Sequence, residues 1–470
     1  MDSSISKTVA AMKRHSQTTR QLGLSLISAL LALAAALPAQ AGNKVRILHS
    51  DGDALQARVD LLQQAKQEIN VSYYIVSDDK VPLLFLSLLR DAARRGVTVR
   101  LLVDGHNGNN QMPRGLQAHL LRECIQIREY HAPLVLQPYW IKNRMHDKLV
   151  IVDGEHLITG GRNLKDDYYG QACENFLDRD VYIRGCAAGS AQCYFMARWE
   201  SENVCPTRLS GRINQKKQEK EMTHVELDDG CDEEAICAAS HLLDEAKSDA
   251  EHCQLVRLGT GTDWSAKAHE VQCADFLHDD PCGKKTKSAG IADDMLELLD
   301  NAQCSIMLET PYLVISKEMK RILASAAARG VCVRILTNSL GTNNHHSAQA
   351  AYENDKRWFL RHGIELWELT GCKHLHAKAA VIDGSIAVIG SYNFDMLSEK
   401  RNSEVAVAIH DQQLAAELQA SIDVHLESCY QIGRNGRPIG YNTKYPGVDR
   451  ELIKEVRRKR IAAPVMRGSL

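Results

Sequence analysis

His146, Lys148, Asp153 and Asn163 recur as His376, Lys378, Asp383 and Asn393, each 230 residues further on. The two segments read HDKLVIVDGEHLITGGRN (146–163) and HAKAAVIDGSIAVIGSYN (376–393). Imidazole can act near neutral pH as a nucleophile or as a proton carrier. Ammonium and amide groups donate to electron-rich oxygens. Two lysines and two asparagines around two histidines make a cage for a tetrahedral oxyanion, and phosphate is its natural occupant. Opposed histidines suit in-line displacement, one attacking phosphorus while the other protonates the leaving oxygen. Donors around the equatorial oxygens would stabilise the charge that develops. A lone H-x-K would mean little, but two copies matching at four polar positions mark a site.

The elements that must position these residues follow from spacing. Residues two apart on a strand share a face, so His146 shares one with Lys148, and His376 with Lys378. Asp153-Gly154 and Asp383-Gly384, each set between apolar runs, predict tight hairpins. This gives the two aspartates a structural role in the turns. The returning strands, 157–159 and 386–389, would carry Gly160-Gly161 and Gly390-Ser391 back to the histidine end. Asn163 and Asn393 then land near their own His and Lys.

The repeat is wider than the motif. LRDAARRGVTVRLLVD (89–104) resembles LASAAARGVCVRILTN (323–338). Each reads as an amphipathic helix ended by glycine, at Gly96 and Gly330, then a β-branched strand. Further apolar strands lie upstream, at 69–75 and 305–308. The order predicts an α/β fold of two pseudo-symmetric halves with largely parallel stretches in the centre, within central mixed sheets flanked by helices. We place the halves at 42–204 and 291–435. Residues 205–290 have no counterpart in the repeat and read as an insertion, either a lid or a plain connector. Residues 436–470 form a tail in which Arg450, Lys454, Arg457, Arg458, Lys459 and Arg460 make a basic helix, either solvated or touching anionic lipid.

Lys13, Arg14 and Arg20 precede an apolar run at 22–37 and Pro38-Ala39-Gln40-Ala41, the pattern of an export signal, either cleaved after Ala41 or kept as an anchor. A periplasmic or secreted chain, peripheral to a membrane, is therefore expected. All 14 cysteines follow that point. An oxidising compartment would let several pair, above all Cys205, Cys231, Cys237, Cys253, Cys273 and Cys282 in the linker. No C-x-x-C occurs, and His345-His346 lack evident co-ligands, so no metal and no cofactor is expected. Without residues 1–41 the chain carries 53 basic and 58 acidic residues, a formal charge of about −5. Nucleic-acid binders usually carry the opposite sign, which argues against such a partner.

The pattern H-x-K-x4-D followed by G-G/S-x-N resembles the phospholipase D superfamily, matched fully by both copies. GGRNLKDDYYG (160–170), SYNFDMLS (391–398) and WFLRHGIELWEL (358–369) look closest to its bacterial cardiolipin synthase branch. The resemblance covers most of residues 45–435. It implies a metal-independent phosphodiester hydrolase or phosphatidyltransferase that forms a covalent phosphohistidine and acts, as a monomer, on phospholipid at a membrane surface. It also implies His146 as nucleophile and His376 as acid/base, helped by Lys148, Asn163, Lys378 and Asn393. The family's acidic residue after each motif would cross between halves, Glu404 to His146 and Asp180 to His376. Ser391 would donate to phosphate, whereas Gly161 offers only backbone there. Tyr139-Trp140 and Tyr168-Tyr169 could line an entrance or simply pack. A secreted nuclease with the same chemistry is the alternative, disfavoured by the charge. A non-catalytic lipid-binding protein is disfavoured by two intact motifs.

Overall fold

The computed structural model describes residues 42–106, 111–131, 143–207, 233–282 and 290–466. The leader at 1–41, Tyr139-Trp140 and Cys231 lie outside these residues.

The first half begins with β1 (Asn43–Leu48), α1 (Asp51–Gln64), β2 (Glu68–Tyr73), α2 (Lys80–Arg94) and β3 (Thr98–Asp104). It continues through α3 (Arg114–Arg122), β4 (Gln126–Tyr130), β5 (Leu149–Val152), β6 (His156–Gly160) and β7 (Phe176–Leu177). It closes with β8 (Asp180–Arg184), α4 (Cys186–Trp199) and β9 (Val204–Pro206). The linker supplies α5 (Glu233–His252), β10 (His269–Val271) and β11 (Ala274–His278). The second half opens with α6 (Ile291–Asp300), β12 (Ser305–Glu309), α7 (Lys317–Ala328), β13 (Cys332–Asn338) and α8 (His346–Arg361). Next come β14 (Glu365–Leu369), β15 (His374–Leu375), β16 (Ala379–Ile382) and β17 (Ile386–Gly390). Last are α9 (Met396–Lys400), β18 (Val405–His410), α10 (Gln412–Leu426), β19 (Cys429–Gln431) and α11 (Arg450–Met466).

Two mixed sheets carry the repeat. The first runs β10-β1-β8-β6-β5-β2-β3-β4-β9 and the second β11-β18-β17-β16-β12-β13-β14-β19. Within these two sheets, among the described residues, only β2-β3-β4 and β12-β13-β14 pair in parallel, as expected where helices make the crossovers, and the other pairs are antiparallel. Leu102, Leu149, Ile151 and Val181 of the first sheet share one apolar core with Met307, Leu336, Ala379 and Val407 of the second. Helices α1 and α2 cover the far face of the first sheet, and α6 and α7 that of the second.

The matching sheet orders revise the reading of the linker. β11 lies beside β18 as β1 lies beside β8, so the second sheet's first strand falls inside 205–290. β10 pairs with β1 and extends the first sheet. Helix α5 packs Ala239, Leu243 and Ala250 into the first half's core. In its described part the linker is structural, not a loose lid. The expected disulfides are absent among the described residues, where all 13 cysteines are free. The basic helix α11 is not fully solvated either. Val456 and Ala463 pack with Leu340 and Ala348, while Arg457, Arg458 and Ile461 stay exposed.

Both predicted hairpins form. Leu149 pairs with Thr159 and Ala379 with Ile389. Each turn needs two successive left-handed residues: φ is 52° at Asp153 and 67° at Gly154, 52° at Asp383 and 61° at Gly384. Glycine adopts this conformation freely and aspartate tolerates it. Asp153 also accepts backbone N–H bonds from Lys66, Gln67 and Glu68 at 2.9, 2.7 and 3.0 Å. Asp383 does the same for Gln303, Cys304 and Ser305 at 2.9, 2.7 and 2.9 Å. Each aspartate thus ties its hairpin to the start of the neighbouring parallel strand.

Candidate active site

The halves are stitched together at their histidines. The His146 amide donates to Ser403 O at 2.9 Å, and the His376 amide donates to Leu177 O at 2.8 Å. β7 and β15 add a short parallel pair, His374 with Phe176 and Leu375 with Leu177. The residue after each acceptor then faces the opposing imidazole. Glu404 Oε2 lies 2.8 Å from His146 Nδ1, and Asp178 Oδ2 lies 2.6 Å from His376 Nδ1. Both carboxylates are fully buried.

The first crossing is the one expected, whereas the second uses Asp178 in place of Asp180. Strand register is the cause. Gly160 pairs with Asp180 and Gly390 with Ala406, so Asp180 corresponds to Ala406 and Asp178 to Glu404. Asp180 instead neutralises buried arginines, with Arg58 at 2.8 Å and Arg162 at 3.4 Å.

Gly161 and Ser391 occupy matching positions, but the donors expected to serve phosphate are already engaged within the protein. The Gly161 amide donates to Arg179 O at 3.0 Å and the Ser391 amide to Val405 O at 2.8 Å, so strand pairing takes both. The Ser391 hydroxyl donates to Glu404 Oε2 at 2.6 Å, and Ser398 donates to Oε1 at 2.6 Å. At position 161 any side chain would collide with the opposing acid. A Cβ there would sit 2.0 Å from Asp178 Oδ1.

Both lysines are buried beside their histidines. Lys148 Nζ donates to His146 O at 2.6 Å and lies 5.4 Å from the centre of the Tyr74 ring, which also stands edge-on to His146. Lys378 Nζ donates to His376 O and lies against the His376 ring, 2.8 Å from Nδ1 and 3.1 Å from Nε2. Burial pulls Lys148 down to about 7 and Lys378 to about 8, although the site's carboxylates partly offset it. Burial likewise lowers His146, against the pull of Glu404, and with the Lys378 charge it takes His376 to about 3. Burial pushes Asp178 and Glu404 upward, but their histidine and lysine partners outweigh it and hold both at about 2. The resting site therefore has neutral imidazoles, anionic carboxylates and lysines poised near neutrality.

Asn163 and Asn393 each carry a buried amide oxygen without a hydrogen-bond partner. Asn163 Nδ2 donates to the Tyr168 hydroxyl at 2.9 Å, and that hydroxyl lies 3.4 Å from His376 Nε2. Tyr168 is thus in contact with the second ring nitrogen of His376. Its place in 160–170 was visible in the sequence, but not its contact. Asp395, two residues after Asn393, is also buried, and burial raises its carboxyl to about 7.

The sequence model described as cardiolipin synthase, PLD-like domain, matches residues 59–180 and 295–426, one match in each half. The chain belongs to this family. It is 29% identical to Cardiolipin synthase C of Escherichia coli (strain K12) over 419 residues, covering 83% of this chain and 86% of that one. It is 26% identical to Cardiolipin synthase 2 of Bacillus anthracis over 403 residues, covering 82% of this chain and 66% of that one. Among solved structures, phosphatidylserine synthase of Haemophilus influenzae Rd KW20 has the same fold. Its TM-score is 0.66 at 15% identity, covering 91% of this chain and 95% of that chain.

Proposed function

We propose that the protein is a phospholipid phosphatidyltransferase of the cardiolipin synthase type, working through a phosphohistidine. The observation that carries this is the pair of buried imidazoles, each held at Nδ1 by a carboxylate from the opposite half. Such a carboxylate fixes the tautomer, leaving Nε2 as the reacting atom, and stabilises the imidazolium form.

His146 is the better nucleophile. None of the described residues hydrogen-bonds its Nε2, whereas His376 Nε2 has the Lys378 ammonium and Tyr168 hydroxyl beside it. The lone pair of His146 Nε2 forms a bond to phosphorus as the bond to the leaving alcohol breaks. His376 donates its Nε2 proton to that departing oxygen. A second alcohol then gives its proton to His376 and displaces His146 from phosphorus. For the first step His376 must be protonated, and the arriving phosphodiester anion favours that charge in a site otherwise balanced between two lysines and two carboxylates. Lys148, Lys378, Asn163 and Asn393 supply the donors for the phosphoryl oxygens.

Similarity to cardiolipin synthases supports a lipid substrate, and the leader pattern supports action at the outer face of a membrane. Among the described residues no helix is long and apolar enough to cross one. The exposed Arg457, Arg458 and Ile461 of α11 suit contact with an anionic surface, at about 1 kcal/mol per basic residue.

The test is product analysis by mass spectrometry, with the full chain given phosphatidylglycerol alone in EDTA. Cardiolipin with released glycerol is expected. Phosphatidic acid as sole product would make the protein a hydrolase. Plasmid cleavage without lipid turnover would move the chemistry to nucleic acid.

A further inference from the structure

A second cluster of reactive side chains lies at the edge of the second sheet, outside the phosphodiester site. Cys273 sits in the short crossing between β10 of the first sheet and β11 of the second. Asp275 lies two residues on, and His410 ends β18, the strand beside β11. Register fixes their common direction. Ala274 pairs with Ile409, and the His410 amide donates to Cys273 O at 3.1 Å, so Cys273 stands opposite His410. Residues two apart on a strand share a face, which puts Asp275 on the same side.

One carboxylate oxygen reaches both neighbours. Asp275 Oδ2 lies 3.6 Å from Cys273 Sγ and 3.1 Å from His410 Nε2, and all three ligand atoms lie within 4.8 Å of one another. Tetrahedral zinc, with bonds of about 2.3 Å to sulfur and about 2.0 Å to nitrogen or oxygen, spaces its ligands about 3.5 Å (S to O) and about 3.3 Å (N to O) apart. The two observed separations are close to these edges. In the metal-free chain ordinary hydrogen bonds hold the group together, the thiol donating to Asp275 Oδ1 at 3.7 Å as well as to Oδ2, and what suits a metal is the convergence of thiol, carboxylate and imidazole within 4.8 Å.

We propose that Cys273, Asp275 and His410 form a binding site for a divalent cation of the zinc class, with solvent in the fourth position. Thiolate, imidazole and carboxylate together suit zinc better than magnesium or calcium, which prefer oxygen alone. Binding releases the thiol proton to solvent as the metal–sulfur bond forms. The cation would pin the crossing strand to β18. His410 is six residues along the chain from Glu404, about 20 Å at about 3.3 Å per residue, so the role is structural and not catalytic.

The full chain, stripped with chelator and dialysed, would be titrated with cobalt(II) and then with zinc(II). We expect one equivalent to give a thiolate-to-cobalt charge-transfer band that zinc abolishes. Cys273→Ser should remove the band. Asp275→Asn and His410→Gln should each weaken cobalt affinity at least about tenfold, since even changes behind the ligands typically cost that much. Absence of the band, or its persistence unchanged in Cys273→Ser, would overturn the proposal. Circular dichroism spectra matching the parent's would show that the variants are folded.

Discussion

Replacing Asp178 by Asn should cripple turnover without unfolding the protein. The Asp178 carboxylate is fully buried and 2.6 Å from His376 Nδ1. Asparagine has nearly the same shape and can still accept from Nδ1–H, so the change removes charge more than contact. A hydrogen bond to a charged group contributes about 1.5–3 kcal/mol. If that stabilisation is realised when His376 becomes imidazolium, its loss slows the chemical step about 10- to 150-fold at about 1.4 kcal/mol per decade. The loss grows if the amide inverts and forces the wrong tautomer. Asp180→Asn is the matched control. It breaks the buried pair with Arg58 at 2.8 Å and should cost about 3–5 kcal/mol of stability. Its kcat per folded molecule should stay near the parent's. Glycerol release from phosphatidylglycerol micelles, measured below the melting transition of both variants, reads the difference. Normal kcat in Asp178→Asn with a large loss in folded Asp180→Asn would refute the register argument.

Gly161→Ala puts a methyl 2.0 Å from Asp178 Oδ1, so it should displace that carboxylate and lower kcat toward the Asp178→Asn level with the circular dichroism spectrum retained. Lys148 and Lys378 titrate at about 7 and about 8 in the free enzyme, so each loses its positive charge as pH rises. A pH profile of kcat/KM should therefore fall on its alkaline side between about 7 and 8. Tyr168→Phe removes the hydroxyl 3.4 Å from His376 Nε2 and 2.9 Å from Asn163 Nδ2. It should reduce kcat about tenfold while leaving KM within about twofold, the loss of one hydrogen bond of about 1 kcal/mol or slightly more; an equal rise in KM would mark a packing role instead.

Much of the site could be read before the fold because it obeys local rules. Period-two alternation puts His146 with Lys148 and His376 with Lys378, and Asp-Gly turns fold each returning strand against its partner. The repeat supplied the rest, since neither motif alone carries two histidines. What failed were features decided by register between distant strands. FLDRD offers Asp178 and Asp180 two residues apart, and only the pairing of Gly160 with Asp180 chooses between them. Ser391 and Gly161 look free to meet substrate in the sequence because the acids they meet in the fold, Glu404 and Asp178, are not their neighbours along the chain. β10 and β11 are not legible in the sequence, because three and five residues with mixed polarity give almost no periodic signal. They become strands only because each sheet offers them an open edge.

The central claim is a covalent phosphatidyl group on His146, with His376 moving the proton. His376→Ala, mixed in EDTA with a phosphatidyl donor whose leaving group needs no proton, should accumulate that intermediate. Rapid quenching at alkaline pH, proteolysis and peptide mass spectrometry would locate it. The account predicts the added mass on the peptide containing His146, and none in His146→Ala. Modification of His376 in the His146→Ala variant, or turnover there at the parent rate, would contradict it.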